Sequence, residues 1–199
     1  MSCETEGRGY EFTFVLDLAH GDLSLDDADM LYEAGCSDGL FGFSNGVPDA
    51  DFTRHSTDAL EAIVSAIEEI EGAGVGAIVV RVEPDDLVSI GDIAERTGRT
   101  AESIRLLIMG RRGPGGFPMP AMRIGMGRSR LWRWAEVVKW FHGYEPARWD
   151  EEITRYWSVI ATINDALRQR TCANRSDAVA IEVKARLAPA LERGCPVAR

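Results

Sequence analysis

Between residues 88 and 109 the chain has room for one kind of structure, two helices of about two turns each joined at a single glycine. Ser89 stands where a helix N-cap belongs, and Asp92 three residues later completes a capping box; Ile90, Ile93 and Ala94 then give the first helix a buried face. Gly98 makes the turn. Thr100 caps a second helix over 101–109, with Ile104, Leu107 and Ile108 facing inward and Glu102, Ser103, Arg105 and Leu106 projecting outward. The following run, Arg111-Arg112-Gly113-Pro114-Gly115-Gly116-Phe117-Pro118-Met119-Pro120, cannot continue a helix. Met122, Ile124, Leu131 and Trp132 fit a two-stranded ribbon turning at 125–127, and Trp134, Val137, Val138 and Phe141 recur at the spacing of a closing helix. This pattern predicts a compact helix-turn-helix carrying an arginine-bearing β wing.

Charge separates this stretch from the rest of the chain. Of the 22 basic and 32 acidic residues, ten and four respectively lie between Ser89 and Lys139, an excess of six positive charges; 12 basic and 28 acidic residues remain elsewhere. A net charge of −10 would argue against a polyanionic partner, but counterion release depends on the local cluster that meets the phosphates.

In helix-turn-helix proteins the N-terminal part of the second helix enters the major groove. Thr100, Ala101, Glu102, Ser103 and Arg105 are therefore the candidate base readers, with Arg105 the best placed for guanine because its planar fork can donate to O6 and N7 together. Ser89, Arg99, Arg111 and Arg112 on the helix pair and its exit, and Arg123, Arg128 and Arg130 on the wing, are the candidate backbone or minor-groove contacts. The competing assignment for Arg99 and Arg105 is a surface ion pair with Glu95 or Glu102.

Val88-Ser89-Ile90-Gly91-Asp92-Ile93-Ala94-Glu95-Arg96-Thr97-Gly98-Arg99-Thr100 resembles the opening of the MerR-like and excisionase-like helix-turn-helix proteins. Gly116-Phe117-Pro118-Met119-Pro120, followed by Arg130-Leu131-Trp132-Arg133-Trp134-Ala135-Glu136-Val137-Val138-Lys139-Trp140, is similar to the wing and closing helix of the AlpA prophage-regulator family. The resemblance implies sequence-specific binding of double-stranded DNA, with the wing between Pro120 and Trp132 touching backbone or minor groove.

The residues before this unit read as a different module. Tyr10, Phe12, Phe14, Leu16 and Leu18 alternate as a strand over 10–18, and 24–34 reads as a short helix with acids in its first turn. Strands over 39–43 and 47–53 flank the turn Ser44-Asn45-Gly46, where Pro48 is expected to demote the second strand to an edge or a bulge. Leu60, Ile63, Val64, Ile67 and Ile70 line one face of a helix over 57–71, and 75–82 is an apolar strand. The order strand, helix, strand, strand, helix, strand is the split βαβ, or ferredoxin-like, arrangement. The acids Asp22, Asp26, Asp27 and Asp29 sit at a helix start, which favours negative charge, and are read as caps in preference to metal ligands.

After it, Trp149, Ile153, Tyr156, Trp157, Ile160, Ile163 and Leu167 follow helical spacing, and a second helix over 176–193 would turn Val179, Val183, Leu187 and Leu191 inward. Such a hairpin must bury its stripe, on its own protein or on a second copy. The expected architecture is α+β in three parts: a ferredoxin-like domain over 1–84, a winged helix-turn-helix over 85–145 and a C-terminal helical hairpin over 146–199.

Cys3, Cys36, Cys172 and Cys195 form no C-x-x-C pair, and no nucleophile, phosphate loop or ligand cluster suggests an enzyme, a metal or a cofactor. With no membrane-length apolar run and no leader-like start, the chain reads as cytoplasmic. The expected function is a dimeric transcriptional regulator whose two recognition helices stand about one helical turn (~34 Å) apart. The alternative is an antitoxin-like module in which the acidic N-terminal domain binds a protein partner and the helix-turn-helix autoregulates.

Overall fold

The computed structural model describes residues 8–84, 86–125, 129–174 and 178–191, which form an α+β chain with antiparallel sheets. Alternation, interrupted only where Val15 is also buried, builds the first strand. β1 (Arg8–Leu18) buries Tyr10, Phe12, Phe14, Leu16 and Leu18 on one face and exposes Glu11 and Asp17 on the other. A helix, α1 (Leu25–Glu33), follows, with Ser24 and Asp27 closing a reciprocal capping box at the start of the acidic cluster. β2 (Gly39–Ser44) and β3 (Val47–Ser56) are joined through Asn45 and Gly46, both left-handed, which is the turn an Asn-Gly pair is suited to make. After α2 (Ala59–Gly72), β4 (Ala77–Glu83) completes a sheet of order β2-β3-β1-β4, antiparallel at every junction.

Two expectations are corrected here. Pro48 does not make its strand an edge: β3 lies inside the sheet, between β2 and β1. Pro48 faces Phe43 one step beyond the closing pair Ser44–Val47, and the β1–β3 ladder ends at Asp49, so the missing N–H falls where no ladder bond is due. α2 is rotated relative to the apolar stripe read from its large residues. Ala59, Ala62 and Ala66 join Ile63 and Ile70 against the sheet, Leu60 is exposed, and Val64 and Ile67 are only partly covered. Small residues let the helix lie close to the strands, so contact follows the alanines.

A second core forms downstream. α3 (Ile90–Thr97) and α4 (Ala101–Ile108) bury Ile93, Ala94, Ile104 and Leu107, and Gly98 between them is left-handed. The ribbon of β6 (Met122–Ile124) and β7 (Ser129–Arg133) gains a third strand, β5 (Leu87–Val88), which pairs with Trp132 and Arg133 in a sheet of order β5-β7-β6. α5 (Trp134–Tyr144) buries Trp134, Val137, Val138 and Phe141, the stripe its spacing predicts. Complete burial of side chains this large is worth about 1.5–3 kcal/mol each.

α6 (Glu151–Asn174) enters both cores. Ile160, Ile163 and Leu167 pack with β1, α2 and β4, while Trp149 just before it and Ile153 and Trp157 on it reach the second core. Buried Asn164 closes the outer edge of β4: the Val82 N–H donates to its Oδ1 at 2.7 Å, and its Nδ2 donates to the Val82 C=O at 2.9 Å. Three residues back along the strand, Glu71 accepts from the Val79 N–H at 3.0 Å and Arg170 donates to the Val79 C=O at 2.6 Å. Side chains thus take the place of a neighbouring strand. α7 (Ala178–Leu191) follows, and here the expected stripe is not inward: Val179 and Val183 are exposed, as is Ile181. The side chains of Leu187 and Leu191 lie outside the described set. Spacing shows that a helix has an apolar face without showing what covers it.

Candidate nucleic-acid interface

The helix pair is held by its own polar caps. Ser89 donates its N–H to Asp92 Oδ2 at 2.7 Å and accepts from the Asp92 N–H, and these bonds hold the Asp92 carboxyl below the usual carboxylate range. Thr100 Oγ1 accepts from the Ser103 N–H at 3.1 Å. Ser89 and Thr100 are therefore first of all capping residues, and the Ser89 side chain also bonds the Asp92 carboxylate. Ala101 is half buried against the core, Ser103 is half buried, and Glu102 and Arg105 are exposed.

Arg105 Nη1 lies 3.3 Å from Glu102 Oε2 across one helical turn. A solvated pair of this kind is worth roughly 0.3–0.5 kcal/mol, little enough to be exchanged for a better acceptor. Arg99 differs. Its guanidinium is ion-paired to Glu145, lies over the Phe141 ring at 5.6 Å and is only 17% exposed. The structure thus separates two arginines that look alike in sequence: Arg105 is presented, whereas Arg99 fastens α3 to the end of α5.

Arg111 and Arg112 are exposed just after the left-handed Gly110 that ends α4. The glycine-rich segment behind them is tied down by two indoles: Trp140 Nε1 donates to the Gly115 C=O at 2.9 Å and Trp132 Nε1 to the Pro118 C=O at 3.0 Å. Gly113 is left-handed, and a Cβ there would sit 2.9 Å from Leu107 Cδ2, so only glycine lets the loop lie this close to α4. Phe117 then packs on Trp140, ring centres 4.9 Å apart, which sets the take-off of the ribbon.

On the ribbon, Met122 faces Leu131, Arg123 faces Arg130 and Ile124 faces Ser129. Directly opposed residues share a face, so the two arginines stand side by side, both exposed and without an ion-pair partner among the described residues. Arg130 is two residues from buried Trp132 on the same face of β7; the strand buries its tryptophan and carries its arginine out beyond the body. Arg128 lies outside the described residues.

Sequence reasoning missed the residues that hold this surface in place. Asp86, 1% exposed, caps α5 from outside the helix: Oδ1 accepts from the Ala135 N–H at 2.9 Å, and the backbone C=O accepts from the Trp134 N–H at 2.6 Å. Asp86 Oδ2 also accepts from Arg133 at 3.2 Å, and Arg133 donates to Asp165 on α6 at 3.1 Å. Burial works against the Arg133 charge, but the bond to Asp86 and the Asp165 charge outweigh it and raise its pKa. Arg96 is sandwiched over Trp134 and Trp157, at 5.1 and 5.4 Å from the ring centres, and burial lowers its pKa. Three of the ten basic residues that make the stretch positive, Arg96, Arg99 and Arg133, are therefore structural. The signal available in sequence was the tryptophans beside Arg133 and the acids just before β5, Asp86 among them; neither identifies its partner.

The open face of the larger sheet has the opposite charge. Glu11, Asp17, Asp49 and Asp51 share it, with the Arg81–Glu83 ion pair at one side. Among the described residues no group of three His, Cys, Asp or Glu side chains could hold a metal ion, and no helix is long and apolar enough to cross a membrane. Compared with known proteins, the chain matches no family model, no curated protein and no solved structure.

Proposed function

We propose that this chain is a sequence-specific, double-stranded DNA-binding regulator that acts as a dimer. In this reading α3 and α4 are a helix-turn-helix, the β6–β7 ribbon is its wing, as the MerR-like and AlpA-like resemblance implies, and the preceding sheet is a ferredoxin-like module. The observation that carries the reading is the Arg123–Arg130 pair. Like charges placed directly opposite on a ribbon repel each other, and a phosphate backbone or narrow minor groove between them turns that repulsion into attraction. Exposed Arg105, Arg111 and Arg112 add positive charge on α4 and its exit. Arg105 can leave Glu102 for a guanine edge at small cost.

The test is selection of binding sites from random DNA at two salt concentrations, followed by titration of variants. Arg123→Ala and Arg130→Ala should each weaken binding to all sequences and lower the salt slope by about one. Arg105→Ala should cost about 1–3 kcal/mol at one base position and relax the preference there. Arg99→Ala should lower the melting temperature and leave the salt slope unchanged. No sequence enrichment, with unchanged affinity in the ribbon variants, would remove the DNA reading and favour a basic protein docked on the acidic sheet face.

A further inference from the structure

The two edges of the larger sheet are treated in opposite ways. The outer edge of β4 is closed by Asn164, Glu71 and Arg170, whereas β2 forms the other edge and nothing among the described residues covers it. Antiparallel alternation from the closing pair Ser44–Val47 turns the backbone of Leu40, Gly42 and Ser44 toward β3 and that of Phe41 and Phe43 outward. The Gly39 N–H is turned back to the Cys36 C=O at 3.0 Å. The open edge therefore offers the N–H and C=O groups of Phe41 and Phe43, and the Gly39 C=O, spaced as in an unpaired antiparallel strand.

The usual protections of such an edge are absent. Gly39-Leu40-Phe41-Gly42-Phe43-Ser44 contains no lysine, proline or other charge to discourage pairing. Its side chains add apolar surface, with Leu40 73% and Phe43 46% exposed. No charged side chain lies on this strand, so two copies can pair along it without placing like charges side by side.

We infer that β2 is the seam of a homodimer, in which the strand pairs antiparallel with its own copy about a two-fold axis through Gly42. That register alone satisfies the N–H and C=O of both phenylalanines in each copy: Phe41 exchanges both bonds with Phe43 of the second copy, and Phe43 with Phe41. Gly42 then faces its own copy in the close pair, where Cα atoms approach to about 4.5 Å. Phe41, already edge-on to Phe52 in the core, lies beside Phe43 of the second copy, so the exposed rings cover each other. The result is a continuous eight-stranded sheet.

The seam rests on the dimeric reading above. Seven spacings of ~4.8 Å put the two β4 strands about 34 Å apart.

Sedimentation equilibrium of the full chain over a concentration series, with hydrogen exchange read at single amides, tests the seam. The wild type should sediment at twice 21.9 kDa, with the Phe41 and Phe43 amides protected in the dimer and exchanging on dilution, while Gly42, bonded inside the sheet, stays protected throughout. Phe43→Lys puts a charge on the edge, and Phe43→Pro removes an outward N–H that no described partner uses; each should give a monomer with unchanged circular dichroism. If Phe43→Pro loses its fold, Phe43→Lys decides. A monomeric wild type overturns dimerisation itself. A dimer that survives Phe43→Lys, or unprotected Phe41 and Phe43 amides, overturns this seam and leaves the DNA reading standing.

Discussion

Replacing Asp86 should loosen the second core more than any exposed arginine in it. The carboxylate is 1% exposed and has two duties, accepting the Ala135 N–H at the start of α5 and pairing with Arg133. Loss of a helix cap costs about 1 kcal/mol. Breaking a fully buried ion pair would cost about 3–5 kcal/mol, but Arg133 is 31% exposed and keeps Asp165, so about 1–2 kcal/mol is the appropriate share. Asp86→Ala should therefore lose about 2–3 kcal/mol, which for a chain of this length lowers the melting temperature by roughly 4–12 °C. Asp86→Asn keeps an oxygen for Ala135 and loses the charge, so about half that loss is expected. Thermal unfolding by circular dichroism and urea titration measure both variants. An Asp86→Ala protein within about 0.5 kcal/mol of wild type, the scatter expected of surface changes, would refute the capping role. Equal losses in the two variants would show that charge alone matters.

The two described cysteines should react very differently. Burial, helped by the nearby Glu69 charge, pushes the Cys36 thiol up to about 11, whereas Cys172 is exposed. Near pH 8 iodoacetamide should label Cys172 promptly and Cys36 only as fast as the chain unfolds, read by peptide mass mapping; equal rates in native protein would contradict the burial. Acid should destabilise the fold through Asp38 and Asp92, held low by hydrogen bonds from Arg54 and from Ser89. Because both bind protons less readily folded than unfolded, their stabilisation is complete above the unfolded pKa near ~4 and is lost as pH falls through that value toward the folded one. Melting temperature should hold between about pH 7 and pH 5 and then drop. In Asp38→Asn/Asp92→Asn the drop should be shallower, and an unchanged acid limb would refute the assignment.

Local chemistry was legible in the sequence wherever a residue's partner lies within a few positions. The Ser89–Asp92 box, the Asn45-Gly46 turn, the alternation from Tyr10 to Leu18 and the stripe from Trp134 to Phe141 are of this kind. What escaped depends on partners far along the chain. Asn164 meets Val82 across 82 positions, Arg133 meets Asp86 across 47, and Arg99 meets Glu145 across 46. Counting charge in a window treats Arg99, Arg133 and Arg130 alike, although two are spent on acids outside the window and one is not. The rotation of α2 escaped for a related reason, since a stripe of large residues says less about contact than the closeness its alanines permit.

The place of α6 has a consequence for the order of events during synthesis. Neither core is finished until residues 151–167 have been made, because Trp157 belongs to both and Ile160, Ile163 and Leu167 to the first. Before then the nascent chain carries an open β4 edge and uncovered indole faces, and afterwards one helix closes both at once. Both cores therefore reach their final packing only once residues 151–167 are available to close them.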